Sequence, residues 1–193
     1  MLYLLSPRQK FKPIFNYEQS LNYYDFFYTQ KKLKQEELRI VITLPDLNQL
    51  EALTKQDFIY SHGPLLISQK VQTILQKEFE LGLVQFFEAE IDGFGVLDTH
   101  VALHVVNIEP VADLEKSTYQ YDPFRDEYEF EVLVLKQAFE WDLTIARGIG
   151  AEIHIFINEA LKQRLVEGGV KKGLVLYTIY NPFRPSEGEF IKI

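Results

Sequence analysis

PLLISQKVQTILQKEFELGLVQFFEAEI, residues 64–91, decides the fold, because it contains a complete strand-helix-strand unit. The apolar run after Pro64 predicts a strand, and Ser68 predicts the helix N-cap, since its hydroxyl can accept a hydrogen bond from an amide of the first turn. Gly82 predicts the helix end, because glycine adopts the left-handed C-terminal conformation without steric cost. Between these two residues, four apolar side chains recur at the spacings of three and four that place them on one helix face: Val71, Ile74, Leu75 and Phe79. LVQFFEAEI, residues 83–91, predicts the second strand.

The same order recurs later, where IHIFINEALKQRLVEGG, residues 153–169, precedes GLVLYTIY, residues 173–180. Asn158 predicts the second N-cap and lies 90 positions after Ser68, while Gly173-Leu174-Val175 lies 91 positions after Gly82-Leu83-Val84. We therefore predict two similar strand-helix-strand units, residues 64–90 and 152–180, packed together or related by pseudo-symmetry. The alternative is a chance similarity of common helix signals.

The rest of the chain is assigned around these units. Residues 1–45 predict an aromatic segment that wraps the core. Within it, NYYDFFY (residues 22–28) has neither the helical nor the strand period. A strand is predicted to follow in ELRIVITLP (residues 37–45). Residues 91–151 predict an acidic connection that contains strands and an Arg147–Gly150 turn. The sequence therefore predicts one α+β domain, residues 1–193, with mixed or antiparallel sheets.

Composition limits the classes of function. The chain has 193 residues, no cysteine and a formal charge of −8, and 47% of it is hydrophobic. This predicts a folded protein without disulfides or thiolate chemistry, and its acidity argues against direct binding of nucleic acid or anionic membranes. No apolar stretch approaches the roughly 20 residues of a membrane span, and MLYLLSPRQKFKP (residues 1–13) lacks a signal-peptide pattern. We expect a cytoplasmic protein.

A search for catalytic or metal-binding patterns yields no candidate. On a strand, His100 and His104 lie roughly 13 Å apart, too far to chelate one ion side by side, and no third ligand is near in sequence. His62 falls in a predicted loop, and His154 lies in an apolar strand pattern. Gly148-Ile149-Gly150 does not continue into a dinucleotide-binding motif. We therefore expect no enzyme activity, no metal and no cofactor, although a carboxylate pair brought together by the fold remains an alternative.

Acidic residues are concentrated in the middle of the chain. Between Glu78 and Glu131 there are fourteen acids and two bases, a net charge of −12. Within this segment, STYQYDPFRDEYEFE (residues 117–131) alternates aromatic rings with carboxylates, which predicts a docking surface for a basic partner. The predicted partner-binding residues are Tyr119, Tyr121, Asp122, Phe124, Asp126, Glu127, Tyr128, Glu129 and Glu131. The alternative is a solvated edge strand and loop whose rings face the core.

Three segments resemble a known family: PLLISQKVQTIL (residues 64–75), VVNIEPVADLEKSTY (residues 105–119) and IFINEALKQRLVEGGVKKGLVLY (residues 155–177). They are similar to a bacterial immunity-protein family of polymorphic toxin systems, type eleven, long catalogued as a domain of unknown function. The middle motif of that family corresponds to the run from Asp113 to Tyr119. The resemblance covers residues 64–177, and it implies a protein that neutralises a cognate toxin by binding it. It offers no catalytic residues.

These observations predict an immunity protein that binds a secreted antibacterial toxin stoichiometrically, with a nuclease as the leading toxin class, because nucleases expose basic grooves. Two other functions stay open at this stage. One is an enzyme with a carboxylate-based active site, and the other is an adaptor or structural subunit of a secretion apparatus.

Overall fold

The structure, a computed structural model, describes residues 1–7, 13–61, 63–124, 127–170, 174–181 and 188–192. Its strands are β1 (Leu2–Pro7), β2 (Ile14–Phe15), β3 (Val41–Thr43), β4 (Phe58–Tyr60), β5 (Leu65–Ser68), β6 (Val84–Phe87), β7 (Glu90–Ile91), β8 (Gly95–Val96), β9 (His100–Val105), β10 (Ile108–Glu109), β11 (Thr118–Asp122), β12 (Glu127–Val134), β13 (Ile145–Gly148), β14 (Ala151–Asn158), β15 (Leu174–Tyr177), β16 (Ile179–Tyr180) and β17 (Phe190–Lys192). Its helices are α1 (Tyr23–Tyr28), α2 (Leu50–Leu53), α3 (Gln69–Ile74), α4 (Gln76–Glu80) and α5 (Glu159–Glu167), with 3₁₀ turns at Gln35–Glu37 and Leu47–Gln49. The fold is α+β with mixed and antiparallel sheets, as predicted.

The first strand-helix-strand unit forms a sheet in the order β4-β5-β9-β6. β5 and β6 both run antiparallel to β9, which lies between them. Ser68 at the end of β5 pairs with His100 at the start of β9, and Val84 at the start of β6 pairs with Val105 at its end. Because α3 and α4 connect β5 to β6 across β9, the unit is a split β-α-β arrangement.

The second unit repeats this order as β13-β14-β1-β15, in a sheet that β10 and β17 extend at its two edges. Asn158 at the end of β14 pairs with Leu2 at the start of β1, and Leu174 at the start of β15 pairs with Pro7 at its end. The two sheets therefore share one register, in which the residues of β14 and β15 lie 90 positions after their equivalents in β5 and β6. Two similar units are confirmed, but the 91-residue match is wrong by one. Leu174 lies opposite Pro7 just as Val84 lies opposite Val105, so Leu174 and not Val175 is the equivalent of Val84.

Contacts between the two units are reciprocal. β1 packs against β4, and the equivalent strands β9 and β13 also pack against each other. Arg164 of the second unit bonds Glu78 of the first. The residues equivalent to this pair, Ile74 and Gly168, also lie in close contact, because a Cβ on Gly168 would come within 2.5 Å of Ile74 Cδ1. Reciprocal contacts of this kind indicate an isologous, two-fold relationship. The units are therefore related by a pseudo-two-fold axis.

One core lies between the two units and is built from equivalent positions of both. Burying each such aliphatic side chain contributes about 1.5–3 kcal/mol relative to exposure. The equivalent core residues are Leu65 and Ile155, Ile67 and Ile157, Val71 and Leu161, Leu75 and Leu165, and Val84 and Leu174.

Both predicted helix caps are confirmed. The Ser68 hydroxyl and the Asn158 amide oxygen accept hydrogen bonds from the backbone amides of Val71 and Leu161, at 3.4 and 3.0 Å. Gly82 has a φ of 71°, the left-handed conformation expected at a helix end. The first helix differs from prediction, because it breaks at Leu75 into α3 and α4.

This break changes the buried helix face. Phe79 was predicted to face the core but is 45% exposed, whereas Glu78 is fully buried. LVQFFEAEI likewise forms two strands, β6 and β7, which belong to different sheets. The prediction of one continuous helix followed by one strand was therefore wrong over residues 75–91.

The N-terminal segment is more regular than predicted. Residues 2–7 form β1, the middle strand of the second unit, and NYYDFFY contains the helix α1. Phe15, Phe26 and Phe27 are buried in a second hydrophobic cluster, so part of the aromatic segment does cover the core. The segment 91–151 is likewise more than a connection, because it supplies β9 to the first unit and β13 to the second.

The predicted turn at Arg147–Gly150 was also wrong. Arg147 and Gly148 are the last residues of β13, and only Ile149 and Gly150 form the turn to β14. Separately, the helices of the described ranges are all too short or too polar to cross a membrane.

Candidate binding cleft

The predicted docking segment forms an antiparallel hairpin of β11 and β12. Tyr119 pairs with Phe130, and Tyr121 pairs with Tyr128. The rings of Tyr119 and Tyr121 lie 5.3 and 5.0 Å from the Tyr128 ring, which itself stacks on Phe130. This ring ladder is a rigid, partly exposed aromatic surface, because the rings hold one another in place across the two strands.

An open cleft of about 690 Å³ separates this hairpin from the start of β14. We call it the acidic cleft, because four carboxylates line it: Asp122, Glu127, Glu129 and Glu152. Five aromatic rings line it as well: Tyr28, Tyr121, Tyr128, Phe130 and Tyr180. The described lining contains no lysine or arginine. Such a cleft suits a cationic group, which carboxylates attract by charge and ring faces attract through their quadrupole.

The charges on the cleft are held in different ways. Gly150 donates its backbone amide to Glu152 Oε1 at 2.9 Å, which fixes the position of that carboxylate. Within the described ranges, Glu127 and Glu129 form no salt bridge. Burial lowers the pKa of His154 to about 4, so its ring is neutral at pH 7 and adds no positive charge to the cleft.

Five of the nine predicted partner-binding residues line the acidic cleft: Tyr121, Asp122, Glu127, Tyr128 and Glu129. Of the other four, Tyr119 packs against the buried hydrophobic residues under the hairpin to which it belongs, and Glu131 is exposed outside the cleft. Phe124 at the hairpin tip is 97% exposed. Asp126 lies outside the described residues. The alternative interpretation, with rings facing the core, holds for the buried Phe130 and the half-buried Tyr119.

Sequence reasoning missed the opposite wall of the cleft. Tyr28 comes from α1, Glu152 and His154 come from β14, and Tyr180 comes from β16. These residues are up to about 150 positions apart in the chain, and no local spacing relates them.

The two histidines considered for a metal site bind the backbone instead. His100 Nε2 lies 2.8 Å from the Gln56 carbonyl, and His104 lies 3.0 Å from the carbonyls of both Phe26 and Lys31. Their rings therefore connect β9 to neighbouring segments. The described residues contain no group of three side chains suited to hold a metal ion, and His62 lies outside them.

No family model matches the sequence, and a search of curated proteins finds no match. The chemistry of the acidic cleft is therefore the basis for a functional proposal.

Proposed function

We propose that the protein is an immunity protein that binds and neutralises a cognate secreted antibacterial toxin in the cytoplasm of the producing cell. The acidic cleft is the docking site, and a nuclease is the leading class of toxin. The observation that carries this proposal is the cleft lining, with four carboxylates, five rings and no described lysine or arginine. The resemblance to immunity proteins in residues 64–177 points the same way.

The cleft suits a basic protein surface for two physical reasons. Tyrosine rings provide large contact areas at low entropic cost, which is why they are frequent anchors in binding sites. Clustered carboxylates accelerate encounter with a basic groove and oppose binding of acidic proteins. A nuclease needs such a groove for phosphate contacts, so a protein docked there by the acidic cleft blocks substrate entry.

The inhibition is stoichiometric in this proposal, and the protein acts by binding and not by catalysis. The clustering of Asp122, Glu127, Glu129 and Glu152 is also what a carboxylate-based enzyme requires. The two functions differ in stoichiometry, because an inhibitor protects one toxin per copy, whereas an enzyme that inactivates the toxin protects at far lower ratios.

The proposal predicts a toxin domain encoded beside the gene of this protein, and the test expresses that domain in a susceptible bacterium. The Glu127→Lys/Glu129→Lys variant reverses two charges in the cleft. Glu36→Lys/Glu167→Lys is the matched control, because it makes the same charge change at exposed positions outside the cleft. We expect the cleft variant to slow association about tenfold or more, to flatten its salt dependence and to abolish protection, while the control changes each by less than about twofold.

Equal effects of the two variants would place the docking surface elsewhere. Titration of purified protein against toxin activity checks the mechanism, and inhibition should saturate at one-to-one. Inactivation of the toxin at about one protein per hundred toxins would instead identify an enzyme.

A further inference from the structure

A second, enclosed cavity of about 220 Å³ lies between the two units. Equivalent residues of the units face each other across it: Leu5 and Leu103, and Leu65 and Ile155. The cavity therefore lies on the pseudo-two-fold axis, inside the shared core. It shares Glu152, Ile153, His154 and Tyr180 with the acidic cleft, so these residues form its mouth.

The symmetry of the cavity is broken at one pair of positions. Tyr60 of β4 and Arg147 of β13 are equivalent, because they pair with the equivalent residues Leu65 and Ile155. Both line the cavity, so one side presents a phenol and the other a guanidinium. The guanidinium at this position binds the end of α1, because its Nη atoms donate to the backbone carbonyls of Phe26, Phe27 and Thr29.

Arg147 is only 3% exposed and is incompletely bonded. Its Nη1 and Nη2 donate to backbone carbonyls, including those of Phe26 at 3.2 Å and Val106 at 3.3 Å. Its Nε is buried and has no hydrogen-bond partner among the described residues. The described chain also offers Arg147 no carboxylate at salt-bridge distance. Burial disfavours the Arg147 charge, and the Glu152 carboxylate opposes this only from beyond salt-bridge distance. An anion in the adjoining cavity that accepts from Nε would therefore stabilise the guanidinium further.

The other polar groups of the cavity, apart from Glu152, can both donate and accept hydrogen bonds, and they include the Ser6 hydroxyl. Burial raises the pKa of both Tyr60 and Tyr180, so their hydroxyls keep their protons at pH 7. His154 is neutral there and has one N–H. Glu152 is the one carboxylate of the described lining; it lies at the mouth, with Oε1 already bonded to the Gly150 amide. The inner cavity thus combines hydrogen-bond donors with leucine, valine and isoleucine walls.

The volume limits the ligand to a small molecule. An apolar cavity of about 150 Å³ holds benzene, so 220 Å³ has room for a benzene-sized body with a short polar arm. The cavity is also smaller than the roughly 300–1,000 Å³ of sites for drug-sized ligands. We propose that it binds a small monocarboxylate with a compact apolar body, whose carboxylate pairs with Arg147 and whose body packs on Leu65, Leu103 and Ile155. This site goes beyond toxin binding and does not depend on it.

Phenylacetate and its neutral amide, phenylacetamide, are probes that differ in charge at nearly constant shape. Titration calorimetry and the rise in melting temperature of the full chain measure both. We expect phenylacetate to bind with a Kd below about 1 mM and at least about tenfold more tightly than phenylacetamide. Equal binding of acid and amide, or no binding of either at about ten times that concentration, would overturn the proposal.

Two arginine variants locate the site. Arg147→Met should reduce phenylacetate binding to the level of phenylacetamide, and Arg39→Met, which changes an exposed arginine outside the cavity, should leave the preference intact. If Arg147→Met fails to fold, Arg147→Lys keeps the charge near the cavity and should retain a reduced preference. A preference for phenylacetate that persists in Arg147→Met would show that the carboxylate binds elsewhere. Because no toxin is used, failure here leaves the docking proposal standing.

Discussion

His104 is fully buried between two backbone carbonyls, and its ring cannot serve both when neutral. Nδ1 lies 3.0 Å from the Phe26 oxygen and Nε2 lies 3.0 Å from the Lys31 oxygen. Carbonyl oxygens only accept, and a neutral imidazole has one N–H. Burial lowers the pKa of His104 to about 4; the two carbonyls oppose this shift, and the Arg147 charge adds to it. Arg147 also donates to Phe26, so that oxygen is satisfied while the ring is neutral.

This histidine makes stability depend on pH in a defined direction. An unfolded histidine has a pKa near 6.5, so between pH 6.5 and 4 the unfolded chain binds a proton that folded His104 does not. The contribution to the free energy of unfolding is therefore complete above pH 6.5 and falls by up to about 3 kcal/mol as the pH drops to 4. Urea unfolding at pH 7.5 and 5 should show a smaller difference between the two pH values in His104→Gln than in the unmodified protein. An unchanged difference would mean that His104 is protonated in the folded state.

At the residue scale, the sequence predicted features that depend on neighbouring residues, but it did not predict contacts between distant segments of the chain. The alternation of rings and acids in residues 117–131 predicted a docking surface, and five of its nine residues line one cleft; their role in docking stays a prediction. Arg147 was assigned to a turn, because Arg-Gly-Ile-Gly has the composition of one. Arg147 is instead buried, and its guanidinium donates to backbone carbonyls of residues 26–29, about 120 positions earlier in the chain. No spacing in the sequence predicts that contact.

At the scale of elements, α4 and α5 are joined by a buried ion pair. Arg164 bonds both carboxylate oxygens of Glu78, and Thr144 donates to Oε1 at 2.7 Å. Burial by itself would raise the pKa of Glu78, but these hydrogen bonds outweigh it and hold the pKa below its usual value. The equivalent contact, between Ile74 and Gly168, is apolar. The ion pair therefore joins the helices on one side of the pseudo-two-fold axis only.

Removing one partner should be much more costly than removing both. Glu78→Gln leaves the Arg164 charge without its counter-ion, and we expect a loss of about 3 kcal/mol in the free energy of unfolding. Glu78→Gln/Arg164→Met should recover part of that loss. The control is Glu51→Gln, which breaks an exposed pair with Lys55 and should cost less than about 1 kcal/mol. A similar small cost for Glu78→Gln would mean that water or another group takes the place of the Glu78 carboxylate beside Arg164.

Helix caps were predictable because their chemistry lies within four residues of sequence, as Ser68 and Asn158 illustrate. The strand β1 was not, since its run of four apolar residues is too short to show a period. What makes it a strand is pairing with β14 and β15, which lie at the other end of the chain. The break at Leu75 was missed for a related reason: burial of Glu78 depends on Arg164 and not on its own helix.

At the scale of the whole molecule, the acidic hairpin is an addition to a repeated frame. The two units share strand order, strand direction and register, and the hairpin β11–β12 lies between them in the sequence. The symmetric part supplies the core and the enclosed cavity, and the inserted part supplies most of the charge of the cleft. The 90-residue repeat was visible in the sequence, whereas the two-fold contact was not, because it depends on packing between the units.

The two equivalent middle strands differ sharply in when they can form. β9 meets β5 within the first unit, where Ser68 and His100 are 32 residues apart, whereas Leu2 and its partner Asn158 are 156 residues apart. Closing the larger loop costs more chain entropy, and contacts of long sequence separation slow folding. A growing chain on the ribosome must therefore keep β1 unpaired until β14 has been made. The two units are therefore equivalent in structure, but their middle strands pair at different times during folding.

The folding transition state should contain the first unit and lack β1. Leu66→Ala in β5 and Leu4→Ala in β1 each truncate a fully buried leucine, and each should cost about 2–5 kcal/mol. In stopped-flow refolding and unfolding, Leu66→Ala should mainly slow folding, and Leu4→Ala should mainly accelerate unfolding. The opposite pattern would mean that the distant ends of the chain meet first. With the predicted pattern, the last strand to pair is also the first to be released, so loss of β1 would open the wall of the enclosed cavity before the rest of the fold is lost.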